Sequence, residues 1–176
     1  MPPEPWSSFL NEIDAFLTQE QVFHCLGGFV VTQLYGSVRT TSDVDFLTMV
    51  QTNDELVEFA GLGSPLYDKY GLYLDPVGIA IIPDDYEERL TEMYQGSFAK
   101  IRLFAMDPYD IILSKIERNS SRDREDAEYL AQALSLDTSI LRDRYQKEVR
   151  YQVKNEARED LTLELWIKMI EEARGR

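Results

Sequence analysis

The chain has 176 residues, 44% of them hydrophobic and 28% charged, which is the composition of a folded domain with a sizeable core. Its formal net charge of -14 argues against a broadly basic nucleic-acid binder and against a protein that docks on anionic lipid. One cysteine, Cys25, and one histidine, His24, exclude a disulfide framework and a histidine- or cysteine-rich metal centre, so any metal chemistry must rest on carboxylates and hard ions.

In chain order, Trp6, Phe9, Leu10, Ile13, Phe16 and Leu17 recur at helical spacing and predict an opening amphipathic helix. Gln21 to Leu26 predicts a strand that stops in a tight turn at Gly27-Gly28. Phe29 to Tyr35 fits a short helix or more strand. Val44, Phe46, Leu47, Met49 and Val50 mark a second strand, and Asn53 to Gly61 a helix capped by Asn53 or Thr52. Gly71 to Ile82 is β-rich and ends at Pro83. Asp84 to Tyr94 reads as a helix and Lys100 to Phe104 as a strand. Asp107-Pro108 opens a helix through Arg118, with Asp as cap and Pro in the first turn. Arg122 to Leu134 is another helix. From Thr138 to Glu172 the apolar periodicity is helical but changes register, predicting a break near Glu156–Asp160.

The fold class is therefore α/β, in the α+β sense: a small mixed sheet with flanking helices, followed by a C-terminal helical region. Residues 1–106 form the expected core, and residues 107–176 a helical region packing on it. No apolar stretch reaches membrane-span length, and Met-Pro-Pro-Glu-Pro does not open a signal peptide, so no membrane partner and a cytoplasmic location are expected. Residues 1–141 carry 9 basic and 24 acidic side chains, and the remainder 9 and 8, so the acidic excess lies in the first part.

Chemistry concentrates between Gly27 and Phe46. Asp43 and Asp45 are two apart, so on a strand they share a face while Val44 and Phe46 point into the core. Adjacent carboxylates repel unless a cation lies between them, and sites of that kind serve phosphoryl and nucleotidyl transfer. Upstream, Gly36-Ser37 offers backbone N–H groups and a hydroxyl to phosphate, and Arg39 a bidentate cation. His24 reads as packed beside the first strand and Cys25 as a small buried hydrophobe. Lys147, Arg150, Lys154 and Arg158 line one side of the last helical stretch. The plain reading is a solvated face balanced by acids such as Glu148 and Glu156, and the sharper one a track for RNA backbone or an acidic partner.

Gly-Ser, a spacer, and Asp-x-Asp followed by an apolar residue resembles the nucleotidyltransferase superfamily of DNA polymerase β type. Gly27-Gly28 ahead of Arg39-Thr40-Thr41-Ser42-Asp43-Val44-Asp45-Phe46 is similar to a subgroup. It holds the nucleotidyltransferase toxins of type IV toxin–antitoxin abortive-infection systems and small bacterial relatives. The Asp107–Arg118 and Arg122–Asp126 stretches are similar to that subgroup's lysine-bearing helix and the one after it. The resemblance implies a magnesium- or manganese-dependent enzyme that moves a nucleotide from a nucleoside triphosphate to an RNA or protein acceptor, with a cognate antitoxin-like protein as partner. Its alternative is a catalytically weak member that binds nucleotide or protein within such a pair.

The resemblance implies that Asp43 and Asp45 bind metal, with a third carboxylate on a neighbouring strand. Asp75 is the candidate, although Pro76 directly after it suggests that the strand ends there. Gly36, Ser37, Arg39 and Thr40 would hold the triphosphate. Lys115, among Ile111, Ile112, Leu113 and Ile116, either snorkels or points into the cleft toward phosphate. The resemblance favours the cleft, where loss of its charge should leave stability intact or slightly raised. Asp123 and Asp126 share a helix face, either as solvated acids bridged to Arg118 or Arg122 or as a network that orients Lys115 or accepts a proton.

Overall fold

A computed structural model describes residues 1–48, 53–78 and 80–174. The chain divides into two compact units, Met1–Gly78 with Leu90–Met106, and Ile79–Arg89 with Asp107–Arg176.

The first unit is α/β. Helix α1 (Trp6–Phe16) buries Trp6, Phe9, Leu10 and Ile13, the stripe its spacing predicts. Strand β1 (Gln21–Leu26) runs directly into a short helix, α2 (Gly27–Gln33), where a tight turn is expected from the sequence. Strand β2 (Asp43–Leu47) carries the two aspartates; Met49, Val50 and Thr52 lie outside the described residues. Helix α3 (Asp54–Ala60) begins at Asn53, whose side chain accepts from the Leu56 N–H at 3.1 Å. Ser64 caps α4 (Pro65–Tyr70), and Gly71 in the left-handed region ends it.

Strands β3 (Tyr73–Val77), β4 (Thr91–Met93) and β5 (Ile101–Ala105) complete the sheet. Among the described residues it is five-stranded and mixed, in the order β3-β2-β1-β5-β4. β2 pairs antiparallel with β1 and parallel with β3. β5 pairs parallel with β1 and antiparallel with β4.

Two expectations change here. Asp84–Tyr94 is not a helix: a 3-10 turn at Tyr86–Arg89 is followed by β4. Local helix propensity there is overridden by ladder pairing of Thr91, Glu92 and Met93 with Ala105, Phe104 and Leu103. Pro76 does not end β3, because β3 is an edge strand, the place in a sheet that tolerates proline.

The second unit is helical. Asp107 caps α5 (Pro108–Ser114), which stops four residues short of the predicted Arg118. Ser120 and Asp123 form a reciprocal capping box on α6 (Ser121–Ala133). Helix α7 (Thr138–Arg144) continues as a π-helical turn (Tyr145–Val149) and a 3-10 turn (Arg150–Gln152), and α8 spans Glu156–Arg174. The break falls at Val153–Asn155, just before the predicted one. Ile111, Ile112, Leu130, Leu141, Tyr145, Trp166 and Ile170 are buried. Residues 80–89 belong to this unit. Arg89 reaches Asp110 at 2.8 Å and Glu148 at 2.8 Å, Glu148 accepts from the Asp85 N–H, and the Gln152 amide donates to the Ile82 carbonyl.

Candidate metal and nucleotide site

On β2 the burial alternates: Val44 and Phe46 are buried, Asp43 and Asp45 partly exposed. In the parallel β2–β3 ladder Asp45 stands opposite Asp75, and Asp43 opposite Tyr73. Successive side chains alternate between faces, so Asp43, Asp45, Tyr73 and Asp75 share one. The register thus delivers the third carboxylate. One oxygen from each of Asp43, Asp45 and Asp75 lies within 4.8 Å of the others.

Such crowding is electrostatically unfavourable. Burial and the charge of Asp43 push the Asp75 carboxyl up from its ordinary range. The Tyr73 phenol is pushed up by burial and by the charges of Asp43, Asp75 and Asp45, so it remains neutral. The buried Cys25 thiol is likewise raised, by burial and then by Asp45, and is an inert hydrophobe.

The double glycine explains how Asp45 and Arg39 come so close to the backbone. A Cβ on Gly27 would stand 1.9 Å from Asp45 Oδ2. A Cβ on Gly28 would stand 2.6 Å from Arg39 Nη2 and 2.8 Å from Thr41 Oγ1. The Thr41 hydroxyl donates to Asp43 Oδ1 at 2.6 Å and fixes that carboxylate. Gly28, Arg39, Thr41 and Asp43 are therefore contiguous, and a guanidinium lies beside the acidic cluster.

Other expected phosphate contacts are placed differently. The Ser37 N–H donates to the Val31 carbonyl at 3.1 Å, so that donor is committed within the fold, against the expectation that it faces phosphate. Gly36 takes φ +78° and is exposed, as is Thr40, whose carbonyl accepts from Arg39 Nη1 at 3.5 Å. Sequence reasoning missed Thr41. Its signal was present: Thr41, Asp43 and Asp45 keep the two-residue spacing that puts them on one face.

Lys115, Asp123 and Asp126 meet inside the helical unit. Lys115 Nζ lies 3.0 Å from Asp126 Oδ2 and 3.4 Å from Asp123 Oδ1. The three side chains are 5%, 1% and 0% exposed for Lys115, Asp126 and Asp123 respectively. Asp123 also accepts from Arg118 Nε at 2.8 Å and from the Ser120 hydroxyl at 2.7 Å and N–H at 3.0 Å. The acids are thus buried rather than solvated, and Lys115 does not snorkel. Removal of its charge without cost, expected from sequence, is incompatible with this geometry, because two buried carboxylates face the ammonium.

Burial alone would raise the Asp123 carboxyl, but Arg118, Ser120 and Lys115 outweigh it and hold the group well below its ordinary range. A carboxyl depressed in the fold contributes stability that is present above its unfolded pKa of about 3.9 and lost as pH falls toward the folded value. Asp123→Asn should therefore lower the melting temperature at pH 7 and show a shallower further loss on acidification from about pH 5 to about pH 3 than the parent. Parallel acid profiles of the two proteins would show that Asp123 contributes nothing to the acid sensitivity.

Three of the four basic residues singled out on the last helical stretch are ion-paired. Lys147 pairs with Asp143 at 2.7 Å, Arg150 with Glu156 and Asp160, and Arg158 with Glu159. No helix is long and apolar enough to cross a membrane, among the described residues.

A family model described as nucleotidyltransferase of unknown function (DUF6036) matches residues 8–174, and the chain belongs to that family. The relationship to nucleotidyltransferases read from Gly27–Phe46 is thereby established. No curated protein and no solved structure matches the chain.

Proposed function

We propose that this member of the nucleotidyltransferase family transfers a nucleotide from a nucleoside triphosphate to an acceptor hydroxyl, at a site whose metal ligands are Asp43, Asp45 and Asp75. The observation that carries the reading is the gathering of these three carboxylates, from two strands, on one sheet face. The donor set is all oxygen, which suits magnesium or manganese. Ligands around one such ion stand about 3–4 Å apart, so oxygens already within 4.8 Å of one another need only a small closure. A bound ion would offset the repulsion of the carboxylates and polarise the phosphate under attack.

Arg39 and the Ser37 hydroxyl are the groups we assign to triphosphate charge, with exposed Gly36 and Thr40 flanking them. Thr41 holds Asp43 in its orientation, and Gly27 lets Asp45 approach. Lys115 belongs, in this reading, to the buried ion cluster with Asp123 and Asp126 rather than to substrate. The pairing of Lys147, Arg150 and Arg158 with acids supports the solvated-face reading of that stretch over an RNA track. The acceptor, RNA or protein, is identified by label transfer from each α-labelled triphosphate to total RNA and to lysate protein.

Magnesium with triphosphate should raise the melting temperature by about 5–10 °C when ligand exceeds its dissociation constant about 100-fold. The Asp43→Asn, Asp45→Asn double variant should lose that shift. An undiminished shift in the double variant would remove these residues from the site.

A further inference from the structure

The geometry points to Tyr73 as the residue on which the base of the nucleoside triphosphate stacks, a role that rests on the nucleotidyl-transfer reading of the triad. Leu72, just before β3, and Leu74 on it are buried at 5% and 2% exposure, whereas Tyr73 turns to the opposite face and is only half-buried. That face is the one carrying Asp75, two residues on, and Asp43, its register partner on β2. Neighbouring strands lie about 4.8 Å apart, so Tyr73 stands directly beside Asp43 on that face.

The residue type is informative. Beside three carboxylates, electrostatics alone would favour a cation, and core packing would favour an aliphatic side chain turned inward. The chain places a neutral aromatic ring there instead. It does not compete with metal for the carboxylates, and it offers a flat face that accepts any base. The ring is also pre-organised. Tyr67 on α4 meets it edge-to-face, with centroids 5.7 Å apart and planes at 80°. The Ser64 cap and the left-handed Gly71 fix α4 at both ends, setting Tyr67 against β3.

Calorimetry with magnesium tests this with two kinds of ligand: the four ribonucleoside triphosphates, and inorganic tripolyphosphate, which has no base. Tyr73→Val, which keeps strand propensity, should weaken binding of the preferred triphosphate about tenfold and leave tripolyphosphate unchanged. Tyr73→Phe should retain triphosphate affinity within about twofold, since the ring rather than the hydroxyl is used. Equal triphosphate affinity in Tyr73→Val and the parent would overturn stacking while leaving the triad reading intact. Equal loss of both ligands would assign Tyr73 to support of the triad and also overturn it. If neither ligand binds the parent protein, the nucleotidyl-transfer reading fails first and the stacking role with it.

Discussion

Replacing Lys115 with methionine is expected to destabilise the protein by about 3–5 kcal/mol, the range for breaking a buried ion pair by removing one partner. The methionine preserves length, helix propensity and most of the apolar stem, so neither packing nor backbone accounts for the loss. What changes is the electrostatic balance around Asp123 and Asp126, two carboxylates that are essentially inaccessible to water. Asp123 keeps Arg118 and Ser120, so its own share of the penalty is reduced. A double variant, Lys115→Met with Asp126→Asn, should therefore be more stable than Lys115→Met alone, because the amide carries no charge to desolvate. Urea unfolding of the three proteins measures both effects. A single variant within about 0.5 kcal/mol of the parent would mean that the cluster is not coupled to folding. The expected loss also bears on activity: a transfer defect in Lys115→Met follows from a weakened helical unit unless the variant is shown to be folded at the assay temperature.

Sequence carried some of this architecture and concealed the rest for identifiable reasons. Local patterns were sufficient for β1, for the Asn53 and Asp107 caps, and for the shared face of Asp43 and Asp45, because each depends on residues within a few positions of one another. Asp75 was different. Its place opposite Asp45 depends on the register of a parallel pair thirty residues apart, and its proline neighbour argued against a strand until the edge position of β3 made proline harmless. β4 is three residues long and takes its identity from β5, so its Thr-Glu-Met reads locally as part of a helix. The acidic residues of α6 have the same difficulty. In sequence they resemble a solvated helix face, and only the return of Lys115 and Arg118 onto Asp123 shows that the face is buried. The Gly-Ser turn is legible in the sequence, but which of its N–H groups is already committed depends on Val31 in the preceding helix.

Gly27→Ala should have the largest effect on the candidate site for the smallest change in composition. Two separate costs apply. Gly27 has φ +67°, a left-handed conformation that disfavours an L side chain by about 1–2 kcal/mol. A methyl group there would also stand 1.9 Å from Asp45 Oδ2 and 2.9 Å from its Cγ, so the carboxylate must leave its position or the start of α2 must shift. Gly71 separates the two. It has the same φ of +67°, yet a Cβ built on it meets nothing within 4 Å. Gly71→Ala should therefore show the backbone penalty alone, a loss of about 1–2 kcal/mol with metal-dependent stabilisation retained. Gly27→Ala should show at least that loss and, in addition, little or no thermal shift with magnesium and triphosphate, because Asp45 can no longer share an ion with Asp43 and Asp75. Melting curves of both variants with and without ligand make the comparison. A full ligand shift in Gly27→Ala would show that Asp45 binds from a different position, and that the close approach over Gly27 is not a requirement of the site.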